Sequence, residues 1–512
     1  MSMNTSIGIM DIGSNSIRLV IYERNASGAY RVVSEHKNSA RLSEKIGPDG
    51  LLHSKDILSI VPILSHYSML CKAHNVTTVR IAATAAIRNA ANSQEIVRIL
   101  EEQTGLNIEV LSGSEEARLG FLGVINTIDI QDGIIIDIGG GSTEVTLFRD
   151  RKLLRSISFP FGSVNTTRQY AKNGMTTESE AASIRQMVTE AIAAHPWIVD
   201  SPPGLPVIGL GGTIRALGKM SQKRCKHSLQ LAHNYTVKPG ETDFFLQLLS
   251  PLAIEKRKRV DGLSKDRADI IVPGILILNT LFEAVKASQL TISGSGLRDG
   301  LFYEIIRPGQ PIVEDVLEAS LQNLLHLHYG EVIQHVRHVN KLALQLFDEL
   351  ASTRQLAERS RRYLHAASLL YRIGASIHYY QYSKHTQYMI ANARIDGLSH
   401  REIVICSLVA SYKTKSRTHQ AALVYKDLLH ASDEELIIEL GTLLQLAIAM
   451  DLSETQPVQH LDMMQNNTTL AVKLLCAHNP VLEMKEIANR SKDFEKSWKL
   501  KLKVQAGVFS KT

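Results

Sequence analysis

Short apolar runs at residues 7–10 and 134–136 are followed, after small polar and glycine residues, by further apolar runs at 17–22 and 145–148. Runs of this length, rich in isoleucine and valine, predict buried strands, so each pair reads as a strand, turn, strand hairpin. Further strand-like segments at 30–34, 79–83 and 108–111 alternate with helix-period stretches at 54–73, 93–104 and 114–124. That alternation predicts an α/β architecture. A second α/β set starts at 133 and continues through a helix at 178–194 and strands at 207–210 and 290–293, then leaves through the turn-forming RPGQP at 307–311. Beyond it the helical period dominates, at 332–350, 356–370, 400–412 and 434–450. The closing stretches 469–475, 481–487 and 500–504 allow a few strands with one short helix between them. The expected domains are 1–124, 125–308 and 309–512.

The two hairpin turns read DIGSNS (11–16) and DIGGGSTE (137–144). In each, an aspartate ends the first strand, and small residues let backbone N–H groups approach an anion closely. A carboxylate beside an amide nest suits a metal-bound phosphate, and two copies predict two related halves facing one cleft. Two further glycine turns, GLGGT (209–213) and SGSGLRDG (293–300), follow predicted strands and precede helices, where N-terminal amides favour anions. Between the hairpins, SGSEEARLGFLGV (112–124) opens a helix with adjacent Glu115 and Glu116. Acidic residues are favoured there by the helix dipole alone. Neighbouring positions nevertheless diverge by about 100° around a helix, so one glutamate can cap while the other faces a cleft.

A chain of 512 residues should divide into about two to four domains, because single cores stop growing near 250–300 residues. With 44% hydrophobic and 21% charged residues it has the composition of a globular protein. The opening MSMNTSIGIMDIG lacks a basic segment followed by an apolar core, and no run of 18 apolar residues appears, so a cytoplasmic location without membrane partners is expected. Four cysteines scattered singly form no metal or disulfide framework. A net charge of +6 does not call for nucleic acid, and no DNA partner is expected, but it tolerates a polyanion. The EKRKR run (255–259) reads as a solvated helix face.

The stretches DIGSNSIRLVI, ARLSEKIGPDGLL, ATAAIRNA, SGSEEARLGFLGV, IIDIGGGSTEV, GLGGTIRA, RVDGLSKDRADIIVPG and GSGLRDGLFYE, colinear from Asp11 to Glu304, resemble the exopolyphosphatase and guanosine pentaphosphate phosphohydrolase family. That family shares the fold of actin, sugar kinases and heat-shock chaperone ATPases. The resemblance implies two actin-like (ribonuclease H-like) α/β lobes around a cleft. It gives Glu116 the role of catalytic base, and Asp137 and Glu144 that of magnesium ligands, with a monovalent cation as a candidate stimulant. Asp11, Ser14, Asn15, Ser16 and Arg18 match the first phosphate loop, and Gly139, Gly140, Gly141, Ser142 and Thr143 the second. Thr84 and Arg88 match a phosphate-contacting ATxxxR turn. Gly211, Gly212, Thr213, Arg267 and Arg298 are further phosphate-binding candidates.

The third domain resembles the helical region of longer family members, itself similar to metal phosphohydrolases with an HD pair. The chain departs from that pattern: Tyr371 and Arg372 replace His and Asp in LLYRIG, Lys413 stands for a His, and Ile448 for an Asp. His338, His378 and His385 remain without those carboxylates, so a second metal centre is not expected. Basic positions Arg337, Lys341, Arg372, Lys384, Lys413, Lys415 and Arg417 can either track a phosphate chain or form a solvated face. The resemblance implies hydrolysis of terminal phosphoanhydride bonds by a homodimer. The substrate is inorganic polyphosphate or the pentaphosphate of guanosine, and the extra basic domain favours polyphosphate. An ATP-dependent kinase or chaperone of the same fold is the different-class reading, opposed by the EEAR helix. A non-catalytic sensor is another, opposed by intact Glu116, Asp137 and Glu144.

Overall fold

The computed structural model describes residues 4–171, 174–330, 332–354 and 356–508. The chain forms two compact units, Met1–Lys226 with Leu231–Val316, and His227–Gln230 with Leu317–Thr512.

Unit 1 holds two sheets of mixed direction. The first contains β1 (Thr5–Ile12), β2 (Ile17–Arg24), β3 (Tyr30–Asn38), β4 (Thr78–Ala83) and β5 (Glu109–Val110) in the order β3-β2-β1-β4-β5. The second contains β6 (Gly133–Ile138), β7 (Thr143–Arg149), β8 (Lys152–Phe159), β9 (Val207–Leu210), β10 (Tyr235–Val237) and β11 (Leu290–Ile292) in the order β10-β11-β9-β6-β7-β8. The repeat is plain in the pairing. β1 is antiparallel to β2 and parallel to β4, and β6 is antiparallel to β7 and parallel to β9. Both central strands are covered on two faces, which is why their sequences are nearly unbroken apolar runs.

Alternate side chains on each central strand serve different cores. Met10 and Ile12 join Ile57, Ile60 and Leu64 of α1 (Ser54–Ala73) and Ile96 and Leu100 of α2 (Ser93–Thr104). Ile134 and Ile136 join Ile184 and Val188 of α4 (Glu178–Ala193) and Ile275 and Leu278 of α6 (Ile271–Ala284). Ile7 and Ile9 turn the other way, into one core with Ile135 and Ile208 of the second sheet. That shared core is filled by α3 (Gly113–Ile125) and α7 (Leu297–Ile306). The two helices approach through glycine: a Cβ on Gly123 would meet the Gly296 backbone at 2.3 Å, and one on Gly300 the Leu119 carbonyl oxygen at 2.1 Å.

The segment 309–316, assigned by the sequence to the third domain, is fastened to unit 1. The Asn126 amide donates to the Pro311 carbonyl at 2.7 Å and accepts from Val313 N at 2.8 Å, while Arg151 donates to the Val313 carbonyl at 2.7 Å. Its Pro and Gly residues mark a turn, and the polar anchors that place it lie far away in sequence.

Unit 2 is mostly helical. It includes α8 (Ile333–Arg354), α9 (Glu358–Leu370), α10 (Tyr382–Asn392), α11 (His400–Ala410), α12 (Lys415–Ala422), α13 (Asp433–Ala449) and α14 (Val481–Trp498). A sheet of β12 (Val458–Gln465), β13 (Thr469–Cys476) and β14 (Lys501–Val508) closes it, β12 antiparallel and β14 parallel to β13. The helix allowed between the closing strands is present and longer than read, 18 residues over Val481–Trp498. A parallel β13–β14 pair requires a crossover connection, and Ile487, Phe494 and Trp498 are buried at helical spacing. β12 escaped sequence reading because a register shift between Val458 and His460 interrupts its alternation.

Candidate functional site

The two DIG hairpins fold alike. Gly13 N donates to the Ser16 carbonyl at 3.2 Å, and Gly139 N to the Ser142 carbonyl at 3.0 Å. The turns then meet tip to tip. A Cβ on Gly140 would come within 3.0 Å of the Ser14 Cβ, and one on Gly141 within 2.6 Å of the Ser14 hydroxyl. Glycine at these positions is what permits the loops to face each other across a cavity of about 150 Å³. Asp11, Asp137, Glu116, both loops, Gly211, Gly212 and Ser295 line it together with Arg18, Arg215, Arg267 and Arg298. Asn15 is 8% exposed, and its side-chain amide has no hydrogen-bond partner among the described residues. A buried amide left unpaired in this way is a cost that a bound ligand can offset.

Ser112 caps α3 by accepting from Glu115 N at 3.1 Å, which fixes the phase of the first turn. Glu115 points outward and pairs with Arg118 at 2.9 Å. Glu116 points into the cleft and accepts from Arg88 Nη1 at 2.6 Å, while the same nitrogen donates to the Leu111 carbonyl at 3.0 Å. Burial pushes the Glu116 carboxyl up to about 7 against the pull of Arg88, and the charges of Asp137 and Asp11 add to the rise. Burial likewise lifts Asp137 to about 6, with Arg215 opposing and Asp11 adding. Glu144 stands well above the carboxylate range through burial and the nearby Glu116 and Asp137. It is buried beside Asp137, its register partner on β7, and accepts from the Ser158 hydroxyl at 2.7 Å. Asp11 is raised chiefly by burial.

Positive charge crowds the opposite wall. Burial lowers the Arg215 guanidinium to about 10, and Arg18, Arg298 and Arg267 add to the effect. Burial also lowers Arg267 to about 10 against the pull of Asp266. Arg298 and Arg18 share Glu35, at 2.9 and 3.8 Å. Arg267 lies directly over Gly212, where a Cβ would stand 1.8 Å from the guanidinium. A second cavity of about 590 Å³ shares Arg18, Arg215, Arg267 and Arg298 with the cleft and adds Lys37 and Lys219. Buried guanidiniums that depress one another's pKa mark a wall poised for an anion.

The sequence-predicted residues divide into those that line the cleft and those that do not. Asp11, Ser14, Asn15, Ser16, Arg18, Thr84, Glu116, Asp137, Gly139, Gly140, Ser142, Gly211, Gly212, Arg267 and Arg298 line it. Arg88 instead backs Glu116, and Glu144 is buried beside Asp137. Gly141 is spent on the loop contact. The Thr143 hydroxyl donates to the Phe161 carbonyl at 2.7 Å, and Thr213 is fully buried against Gly274. Hairpin alternation explains Thr143, since a residue beside one that faces the cleft points away. Arg215 had no role assigned from sequence. Its signal was its spacing, four residues after Gly211 and so on the same side of α5 (Gly211–Arg224).

In unit 2, His335 hydrogen-bonds with Asp451 at 2.7 Å and with the Tyr371 hydroxyl at 2.6 Å. His338 donates to the Val458 carbonyl at 2.7 Å, His378 contacts the Tyr380 carbonyl at 3.2 Å, and Arg372 pairs with Glu454. These groups are satisfied by protein partners. Among the described residues no cluster of three or more His, Cys, Asp or Glu side chains is arranged to hold a metal ion, in this unit or in the cleft. No described helix is long and apolar enough to cross a membrane.

Solved structures share this architecture. The Aquifex aeolicus member of the Ppx/GppA protein family is 26% identical over 60% of this chain and 99% of its own, with a TM-score of 0.52. A further Aquifex aeolicus PPX-GPPA enzyme structure is 27% identical, covers 59% and 99%, and has a TM-score of 0.50. An exopolyphosphatase from Cytophaga hutchinsonii, 20% identical over 59% of this chain and 98% of its own, matches in fold with a TM-score of 0.54. The family model for the Ppx/GppA phosphatase family matches residues 20–308, and that for Ppx/GppA phosphatase, domain III, matches 317–496. The two matches together take in the second hairpin, Glu116, the arginines at 215, 267 and 298 and most of the helical third domain, and the chain belongs to the Ppx/GppA phosphatase family.

Proposed function

We propose that the chain is an exopolyphosphatase, hydrolysing the terminal phosphoanhydride bond of inorganic polyphosphate to release orthophosphate. The observation that carries the reading is the basic extension of the cleft. Beyond the carboxylates, its walls present Arg18, Lys37, Arg215, Lys219, Arg267 and Arg298 against only Glu35 and Asp266, with no aromatic ring among the lining residues. A repeating anion is matched by such a wall, whereas a guanine base has nothing there to stack on.

Magnesium fits the donor set. Mg²⁺ favours hard oxygen ligands and is usually held by one or two carboxylates, with water and substrate phosphates completing its shell. A closed protein cage is therefore not required. Asp137, with Glu144 beside it, would hold the ion, whose chemistry would be to neutralise charge on the phosphate oxygens. Burial is the chief cause that raises Asp11, Asp137 and Glu144, with neighbouring carboxylates adding at Asp137 and Glu144, and a bound cation would favour their charged forms.

In the proposed reaction the two amide nests and the arginines fix the terminal phosphate. Glu116 orients a water and takes its proton, a task suited to a carboxyl tuned near neutrality. Arg88 positions Glu116 and prevents it from turning outward. The bond from water oxygen to the terminal phosphorus forms, the phosphoanhydride bond breaks, and the shortened chain leaves with the electron pair.

The test is orthophosphate release by purified protein with magnesium, comparing long-chain polyphosphate with guanosine pentaphosphate. Release chiefly from polyphosphate, falling by orders of magnitude in Glu116→Gln with little change in binding, is expected. Preference for the pentaphosphate would move the function to hydrolysis of that nucleotide, and full activity in the variant would remove Glu116 from the mechanism.

A further inference from the structure

Three of the four positions at which unit 2 departs from the HD pattern, Tyr371, Lys413 and Ile448, line one cavity of about 490 Å³ beside α10, α13 and α14. Tyr382, Tyr412 and Leu452 complete a largely aromatic and apolar wall, and the Glu486–Arg490 pair, at 2.6 Å, supplies polar edges. A second cavity of about 810 Å³ shares Ser383, Lys413 and Arg417 with the first. Its further lining includes Lys384, Gln381 and Gln387 and no carboxylate. Lys384, Lys413 and Arg417 make no side-chain ion pair or hydrogen bond with any described residue. Ser383, 8% exposed and common to both cavities, also leaves its hydroxyl without a described partner.

Surface lysines are usually dispersed among acids. Here three cations converge on a carboxylate-free hollow and adjoin an aromatic slot of a size that accommodates a small ligand, about 300–1,000 Å³. Phosphates satisfy the first compartment, since each offers oxygens to ammonium and guanidinium donors. A planar heterocycle satisfies the second, through stacking on tyrosine and contacts of its edge with Glu486 and Arg490. A phosphate chain alone leaves the aromatic compartment unused.

We propose that unit 2 carries a non-catalytic binding site for a nucleoside polyphosphate. The base stacks on the half-buried Tyr382, over a compartment whose floor includes the buried Tyr371 and Tyr412, and the phosphates lie on Lys384, Lys413 and Arg417. The site is separate from the cleft of unit 1 and does not depend on the reaction proposed there.

Equilibrium dialysis of the full-length protein in EDTA, with labelled GTP and ATP as probes and tripolyphosphate as competitor, tests it. Lys413→Glu with Arg417→Glu should weaken binding of at least one nucleotide tenfold or more, with an unchanged circular dichroism melt. Tyr382→Ala should weaken the nucleotide at least fivefold and leave tripolyphosphate affinity unaltered. Nucleotide binding that survives the double charge reversal but is lost in Arg215→Ala with Arg298→Ala would place the nucleotide in the cleft and overturn the proposal. Tripolyphosphate binding as tightly as the nucleotides, or no nucleotide binding at all, would overturn it as well.

Discussion

Replacing Glu116 by Gln should make the metal-free protein more stable while removing its proposed base. The side chain is 15% exposed and held 2.6 Å from Arg88, yet burial and the neighbouring Asp137 and Asp11 lift its carboxyl from 4.5 to about 7. A carboxyl raised on folding is one whose ionisation the fold resists. The penalty is absent below the unfolded value, grows between pH 4.5 and about 7, and is complete above that. Over that interval it amounts to about 3 kcal/mol. Glutamine keeps an oxygen to accept from Arg88 and carries no charge, so the variant escapes the penalty. Urea unfolding in EDTA at pH 8 and pH 5 reads the effect directly: a gain of about 3 kcal/mol at the higher pH should shrink to about 1 kcal/mol at the lower. Added magnesium should narrow the gap at pH 8, since a cation bound near the carboxylates relieves the wild-type repulsion. A variant equally stable at both values, or less stable at pH 8, would refute the reasoning. It would mean that the Arg88 ion pair, and not repulsion among the carboxyls, governs the site.

Other substitutions separate packing from chemistry. Gly300→Ala would drive a methyl to 2.1 Å from the Leu119 carbonyl oxygen, and forcing α3 and α7 apart should cost about 1–3 kcal/mol in urea unfolding. Gly212→Ala should unseat the Arg267 guanidinium, 1.8 Å from the new Cβ, and raise KM for polyphosphate more than it lowers kcat in steady-state assays. Arg18→Gln and Glu144→Gln should fail differently. The first should raise KM and flatten its dependence on salt, and the second should lower kcat and raise the magnesium needed for half-maximal rate.

Much of unit 1 was legible because its central strands are buried on two faces and so read as uninterrupted apolar runs, each stopped by an Asp-Ile-Gly turn. The hairpins and the divergence of the adjacent Glu115 and Glu116 follow from local rules, while the choice of Glu116 for the cleft came from the family resemblance. What local rules do not contain is which side of a hairpin or helix a cleft will occupy. Thr143 and Thr213 carry the right chemistry one residue out of phase, and each is used inside the fold. Arg88 sits a layer behind the cleft because its contact with Glu116 joins elements distant in sequence, and Glu144, though a hairpin neighbour of Asp137, is buried by packing that the motif does not show. In unit 2 the bulge in β12 and the crossover demanded by a parallel β13–β14 pair are both non-local, and the helix over 481–498 is recognised from its burial spacing only once its length is known.

The duplicated hairpins also show how one half of the cleft diverged from the other. The residue seven positions after each DIG aspartate is that aspartate's register partner: Arg18 for Asp11 and Glu144 for Asp137. The same geometric position therefore carries a cation in the first hairpin and an anion in the second. In the first, Arg18 offsets the Asp11 charge, and the pair adds a guanidinium to the basic wall. In the second, Glu144 raises the negative potential around Asp137 and leaves a deficit of positive charge. Two identical loops would give a cleft of one sign throughout. Under the proposed function, one sign change at equivalent positions would divide two tasks between the lobes, attraction of a polyanion by the first hairpin and retention of a divalent cation by the second.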